Sequence, residues 1–150
     1  MQWIIVTGDS GGLGSAITRK ILKDGIYGVI GISRKENDVV ESIKKEYENY
    51  VHINFDLLDT QQIKNLYKEK IKKIGTIYGL VNNSAMAYDD IVTNLSYDKL
   101  DGMYHVNVYS PMMLTKYAIR DMILHKTEGS IVHISSVSAH TGYKGLAMYA

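Results

Sequence analysis

Residues 4–14 read IIVTGDSGGLG, an apolar run that breaks at Thr7-Gly8 into a glycine-rich turn. Leu13, Ile17 and Ile21 follow at four-residue spacing, which is one face of a helix. The stretch predicts strand, tight turn and helix in that order. The first N–H groups of such a helix have no partner within it, and its N-terminus carries partial positive charge. That combination suits a diphosphate. Gly8 would permit the turn, Gly12 a close approach of backbone to ligand, and Gly14 tight packing of helix on strand. A plain strand-to-helix turn is the alternative for the same glycines.

The alternation continues downstream. Residues 27–33 (YGVIGIS) form a buried-strand run, and Val39, Val40, Ile43 and Tyr47 recur at helical spacing. Residues 51–55 alternate as a strand and are closed by Asp56-Leu57-Leu58-Asp59. Ile63, Leu66, Tyr67, Ile71 and Ile74 mark a third amphipathic helix, and residues 77–81 a fourth strand that ends in Asn82-Asn83-Ser84-Ala85. Ser96 is the expected cap of a mostly helical region, 98–126, which Pro111 should kink. Apolar residues cover more than one face of that region, so a second packing partner such as another subunit is expected. Residues 130–135 (SIVHIS) make the fifth strand. The pattern specifies an α/β fold, doubly wound on a parallel sheet with helices on both faces. A ligand would bind at the carboxyl ends of the strands, where strand order reverses.

A chain of 150 residues, 45% hydrophobic and 22% charged, fits one domain with a real core. With 17 basic and 16 acidic residues, neither nucleic acid nor an anionic membrane is an expected partner. The run KNLYKEKIKK at residues 64–73 reads as a solvated helix face. The chain has no cysteine, which excludes a disulfide frame and a thiolate zinc site. The five histidines lack metal-ligand spacing, so no metal is expected. MQWIIV is not a signal peptide, and no apolar run reaches the ~20 residues needed to span a bilayer. A cytoplasmic protein is the expectation.

Five landmarks stand in order: TGDSGGLG at residues 7–14, Asp56-Leu57, Asn82-Asn83-Ser84-Ala85, Asn107, and Ser135-Ser136 with Tyr149 thirteen residues past Ser136. Together they resemble the short-chain dehydrogenase/reductase family over the whole length. The glycine loop fits both the simple and the extended, nucleotide-sugar branch, because Gly11 and Gly12 are both present. The other landmarks resemble the simple branch, close to the 3-oxoacyl-acyl-carrier-protein reductases, and disfavour an epimerase or dehydratase. Tyrosine is frequent here, 12 of 150, so Tyr149 carries weight only in conjunction with the rest.

The resemblance implies a Rossmann-type NAD(P)-binding domain over residues 1–150 and hydride transfer between a nicotinamide and a carbonyl or alcohol substrate. Tyr149 would be the proton donor or acceptor, Ser136 would donate a hydrogen bond to the substrate oxygen, and Asn107 would hold a water or backbone group in the proton path. Thr7, Gly8, Ser10, Gly11, Gly12, Leu13 and Gly14 would bind the diphosphate. Asn83, Ser84 and Ala85 would border the nicotinamide ribose, and Leu57 the adenine ring. Asp56 would accept from the adenine amino group or, alternatively, cap a helix. Where a carboxylate would bind the ribose 2′-OH of NAD, the chain has Ser33 and Arg34, which suit a 2′-phosphate. NADP is therefore expected over NAD, although Arg34 would also stack on adenine and Glu36 lies near.

The chain departs from the family at Ser84-Ala85, where a glycine is common, and at Asp9, a carboxylate that is unhelpful near phosphates unless it points away. The family's lysine, four residues past the tyrosine, would fall beyond Ala150. The chain is therefore expected to be the N-terminal part of a longer homo-oligomeric enzyme, without the substrate region and inactive alone. A nucleotide-binding module without catalysis is the rival reading.

Overall fold

Two adjacent residues of the first strand show how this chain builds two layers on one sheet. Ile5 and Val6 are both fully buried, yet they belong to different hydrophobic clusters, because successive strand side chains point to opposite faces. The computed structural model describes all residues, Met1–Ala150. The strands are β1 (Trp3–Thr7), β2 (Gly28–Ser33), β3 (Tyr50–Asn54), β4 (Ile77–Asn82) and β5 (Ser130–His133). They pair in parallel in the order β3-β2-β1-β4-β5. Strand order reverses between β1 and β4.

Helix α1 (Gly12–Asp24) and α2 (Asp38–Glu46) cover one face. Val6, Val29 and Val81 there meet Leu22 of α1 and Val40 and Ile43 of α2. Asn37 caps α2 by accepting from Val40 N at 3.1 Å. On the other face lie two longer helical runs, α3 (residues 60–74) and α4 (residues 97–124). Ile5, Ile30, Ile32 and Leu80 pack there against Ile63 and Ile71 of α3 and Leu114 and Ala118 of α4. Burial of each such side chain contributes about 1.5–3 kcal/mol. The lysines of 64–73 stay exposed while Leu66, Tyr67 and Ile71 go inward, as a solvated helix face requires.

Element order agrees with the sequence pattern, and the ends differ by a residue or two. Both long helices contain a π turn, at Tyr67–Ile71 and at His105–Tyr109. The second is followed by Pro111, which sits in the first turn of the next α segment, Ser110–Leu124. Its missing N–H leaves the carbonyl of Asn107 without the usual i−4 donor, and the helical run continues past it. Ser96 stands at the expected N-cap position, but its side chain makes no capping hydrogen bond. No helix is long and apolar enough to cross a membrane.

Candidate dinucleotide site

Gly8 and Gly12 have φ of 75° and 51°, the left-handed region that glycine enters without strain. Gly14 faces the turn so closely that a Cβ would lie 2.0 Å from the Gly8 carbonyl oxygen. Above Gly11 and Gly12 the space is open. No amide of residues 9–14 donates to another group of the chain, so the loop and the first turn of α1 present a set of unspent N–H donors. The N–H of Gly8 itself is held by the Ile32 carbonyl at 2.8 Å.

Thr7 fixes this loop to the segment after β4. Its Oγ1 accepts from Asn83 N and Ser84 N, each at 2.9 Å, and Asn83 Nδ2 donates to the Thr7 carbonyl at 2.9 Å. The two chain segments that flank the reversal of strand order are thus joined by side-chain bonds. Ser84, in the segment expected to depart from the family pattern, keeps its backbone in this clamp.

A crevice of about 1010 Å³ opens at the carboxyl ends of β1, β2, β3 and β4. That is at the upper end of the ~300–1,000 Å³ range of small-molecule sites. Gly8 and Ser10 line one side, Asn83, Ser84 and Ala85 another, and Ser33, Arg34, Asp56 and Leu57 a third. Nine of the residues expected in a cofactor site are therefore brought together. Thr7 lies beneath them, and Gly11, Gly12 and Gly14 form the adjoining turn. Leu13 is 55% exposed beside it. Leu57 is mostly committed to the core, at 6% exposure.

Charge is arranged unevenly around the crevice. Glu36, the carboxylate nearest Arg34 in sequence, pairs with Lys44 of α2 instead. Arg34 and Lys35 are exposed, line the crevice and join no ion pair. Ser33 Oγ donates to the Lys35 carbonyl at 3.3 Å, which folds the β2 end into a turn. Asp56 Oδ1 accepts from Leu58 N at 3.0 Å, and the helical run starts after Asp59, so Asp56 makes an Asx turn and is not the helix cap. Asp9 points away from the open side and is fully buried. Its Oδ2 accepts from the Tyr50 hydroxyl and lies 2.8 Å from His52 Nδ1. Burial first, and then the bond to Asp9, push the Tyr50 phenol above its usual range, so it stays a donor.

The residues expected to do chemistry are less closely assembled. Asn107 lies in the π turn, and its amide is doubly bonded to the backbone of Met86, a crevice residue. Ser136 and Tyr149 do not line the crevice, and no hydrogen bond joins them. Ser136 Oγ accepts from Ser138 N at 3.2 Å within its own loop. Tyr149 is half-buried in a turn where the Ala150 amide donates to the Leu146 carbonyl at 2.9 Å. Lys35, Asn37, Asn54 and Met86 line the crevice without having been anticipated. Lys35 beside Arg34, and Asn37 just before an apolar-periodic run, were the available signals.

The family model for the short chain dehydrogenases matches residues 2–150. The chain belongs to the short chain dehydrogenase family. Similar short chain dehydrogenases include the 3-oxoacyl-(acyl-carrier-protein) reductase of Buchnera aphidicola subsp. Acyrthosiphon pisum, 34% identical over 99% of this chain. The corresponding reductase of Thermotoga maritima is 30% identical over 97% of the chain. Among solved structures, a short-chain dehydrogenase from Streptomyces avermitilis superposes with a TM-score of 0.88 at 25% identity over 99% of the chain. The chain spans 60% of the length of each of those two reductases and 54% of that crystallised dehydrogenase.

Proposed function

We propose that the chain is the NADP-binding part of a carbonyl reductase or alcohol dehydrogenase of the simple short-chain type, with residues 1–150 as its Rossmann domain. The observation that carries this reading is the set of unspent amides at 9–14, facing open space beside a crevice whose far end holds two unpaired cations. The fit to a dinucleotide is specific: any side chain at Gly14 would fill the turn, and the amides of residues 9–14 have no acceptor within the chain.

When bound, a nicotinamide supplies hydride transfer to a carbonyl carbon or from an alcohol. The loop amides hold the diphosphate, and Asn83, Ser84 and Ala85 border the nicotinamide ribose. Asp56, through its unengaged oxygen, accepts from the adenine amino group while Leu57 contacts the ring. Ser33, Arg34 and Lys35 take the 2′-phosphate, which a guanidinium fork and an ammonium neutralise. Tyr149 gives its hydroxyl proton to the forming alkoxide in reduction and takes it back in oxidation. Ser136 donates to the same oxygen, as its proton is not spent on Ser138. Asn107 holds the Met86 backbone at the crevice wall.

A small carbonyl or alcohol is the substrate class, and the setting is the cytoplasm. Tyr97, Met112, Ile123 and Leu124 expose apolar surface on α4, which supports a homo-oligomer. Isothermal titration of the chain with NADPH and with NADH tests the reading. NADPH is expected to bind, and more tightly than NADH; binding of neither would refute it.

A further inference from the structure

β2 lies between β1 and β3, yet a residue just past β1 bonds directly to β3. Gly31 of β2 stands opposite His52 of β3 in the sheet register, and the absence of a side chain at Gly31 opens a gap over the middle strand. The Asp9 carboxylate fills it: a Cβ on Gly31 would come within 1.7 Å of Asp9 Oδ2. Through this gap Asp9 reaches Tyr50 and His52, which share one face of β3 because they are two residues apart. Asp9 is fully buried and the His52 side chain is 1% exposed. Asp9 Oδ1 and His52 Nε2 have no partner, so the bonds to Oδ2 are all that offset the burial of this carboxylate. Arg19 of α1, whose charge acts on Tyr50, is paired with Glu46 of α2.

Both ends of this connection lead to the crevice. Asp9 precedes Ser10, and β3 runs on into Asn54, Phe55 and Asp56 at the opposite wall. Asn37 adds a second tie by donating to the Ser10 carbonyl at 2.9 Å. The geometry points to Asp9 as a positioning residue for dinucleotide binding: latched to Tyr50 and His52 through the gap at Gly31, it sets the diphosphate loop at a fixed distance from the adenosine wall. This rests on the reading of the crevice as a dinucleotide site. A ligand that spans both walls gains from the fixed distance, because the loop is ordered before binding. A ligand that touches only the adenosine wall does not.

The test is calorimetric titration of the full chain with NADPH, and with adenosine 2′-monophosphate, which lacks a diphosphate. Asp9→Ala should weaken NADPH tenfold or more and leave the monophosphate within twofold. Asp9→Asn, which keeps an acceptor for the Tyr50 hydroxyl, should recover most of the loss. Where Asp9→Ala does not fold, Tyr50→Phe removes one tie and should weaken NADPH about threefold with the monophosphate unchanged. Equal weakening of both ligands, or no weakening of NADPH in a folded variant, would overturn the latch alone. Failure of the unmodified chain to bind either ligand would overturn the crevice reading and the latch with it.

Discussion

Asn107 holds the backbone of Met86 at both of its polar atoms: Oδ1 accepts from Met86 N and Nδ2 donates to Met86 O, each at 2.8 Å. Asn107 is presented by a π turn in the helical run, so a helix irregularity fixes one wall of the crevice. Replacing Asn107 by Ala removes both bonds and leaves two half-buried backbone groups unpaired. A loss of about 1–3 kcal/mol is expected. Amide hydrogen exchange at Met86 should speed up accordingly, and unchanged protection there would show that the segment is held by something else.

Thr7 is the acceptor for two amides at once. Thr7→Val preserves shape but strands Asn83 N and Ser84 N, at a cost of about 2–4 kcal/mol. Thr7→Ser should retain most of the stability. Denaturant unfolding of the two variants checks this, and equal midpoints would contradict the clamp.

The proposed preference for NADPH rests on the β2 end. Arg34→Ala should reduce the preference for NADPH over NADH by about tenfold, the worth of one charge-assisted contact to phosphate. Glu36→Gln should leave the preference unchanged, since that carboxylate is engaged with Lys44. Equal affinity of the unmodified chain for the two dinucleotides would contradict the assignment.

Two buried phenols make the fold sensitive to alkali. Burial and, in second place, Asp9 raise Tyr50, and burial with the Asp121 charge raises Tyr67, both from an ordinary value of 10.0. Above that pH the unfolded chain loses these protons while the native chain keeps them. Stability is therefore full below pH 10 and falls above it, by about 1.4 kcal/mol per pH unit for each tyrosine. The Tyr67 hydroxyl is buried without a partner. Tyr67→Phe should then be neutral or stabilising at pH 7 and should halve the alkaline slope. Unfolding midpoints between pH 9 and 11 read both effects, and an unaltered slope would contradict the assignment.

The order of elements was legible because Ile4, Ile5 and Val6 form an apolar run buried on two faces, which a parallel sheet covered by helices on both sides provides. The glycine loop was legible because Gly8 and Gly14 have steric reasons to be glycine that hold in any chain making this turn. The direction of Asp9 was not, since it depends on the empty position at Gly31, 22 residues away in sequence and adjacent only after the strands pair. The partner of Glu36 was hidden for the same reason: Lys44 lies two helical turns along α2. Ser136 and Tyr149 were singled out by spacing and type, which carry no information about where the fold puts their hydroxyls, and these two are not joined.

The central claim is that the amides of residues 9–14 hold a diphosphate. The most direct test is amide chemical-shift mapping of the isotopically labelled chain during titration with NADPH. Amides of residues 9–14, with Ser33, Arg34, Asn83 and Ser84, are expected to shift together and saturate at one affinity, while Lys23 and Asp24 at the far end of α1 stay in place. Saturable binding that leaves residues 9–14 unperturbed would contradict the account.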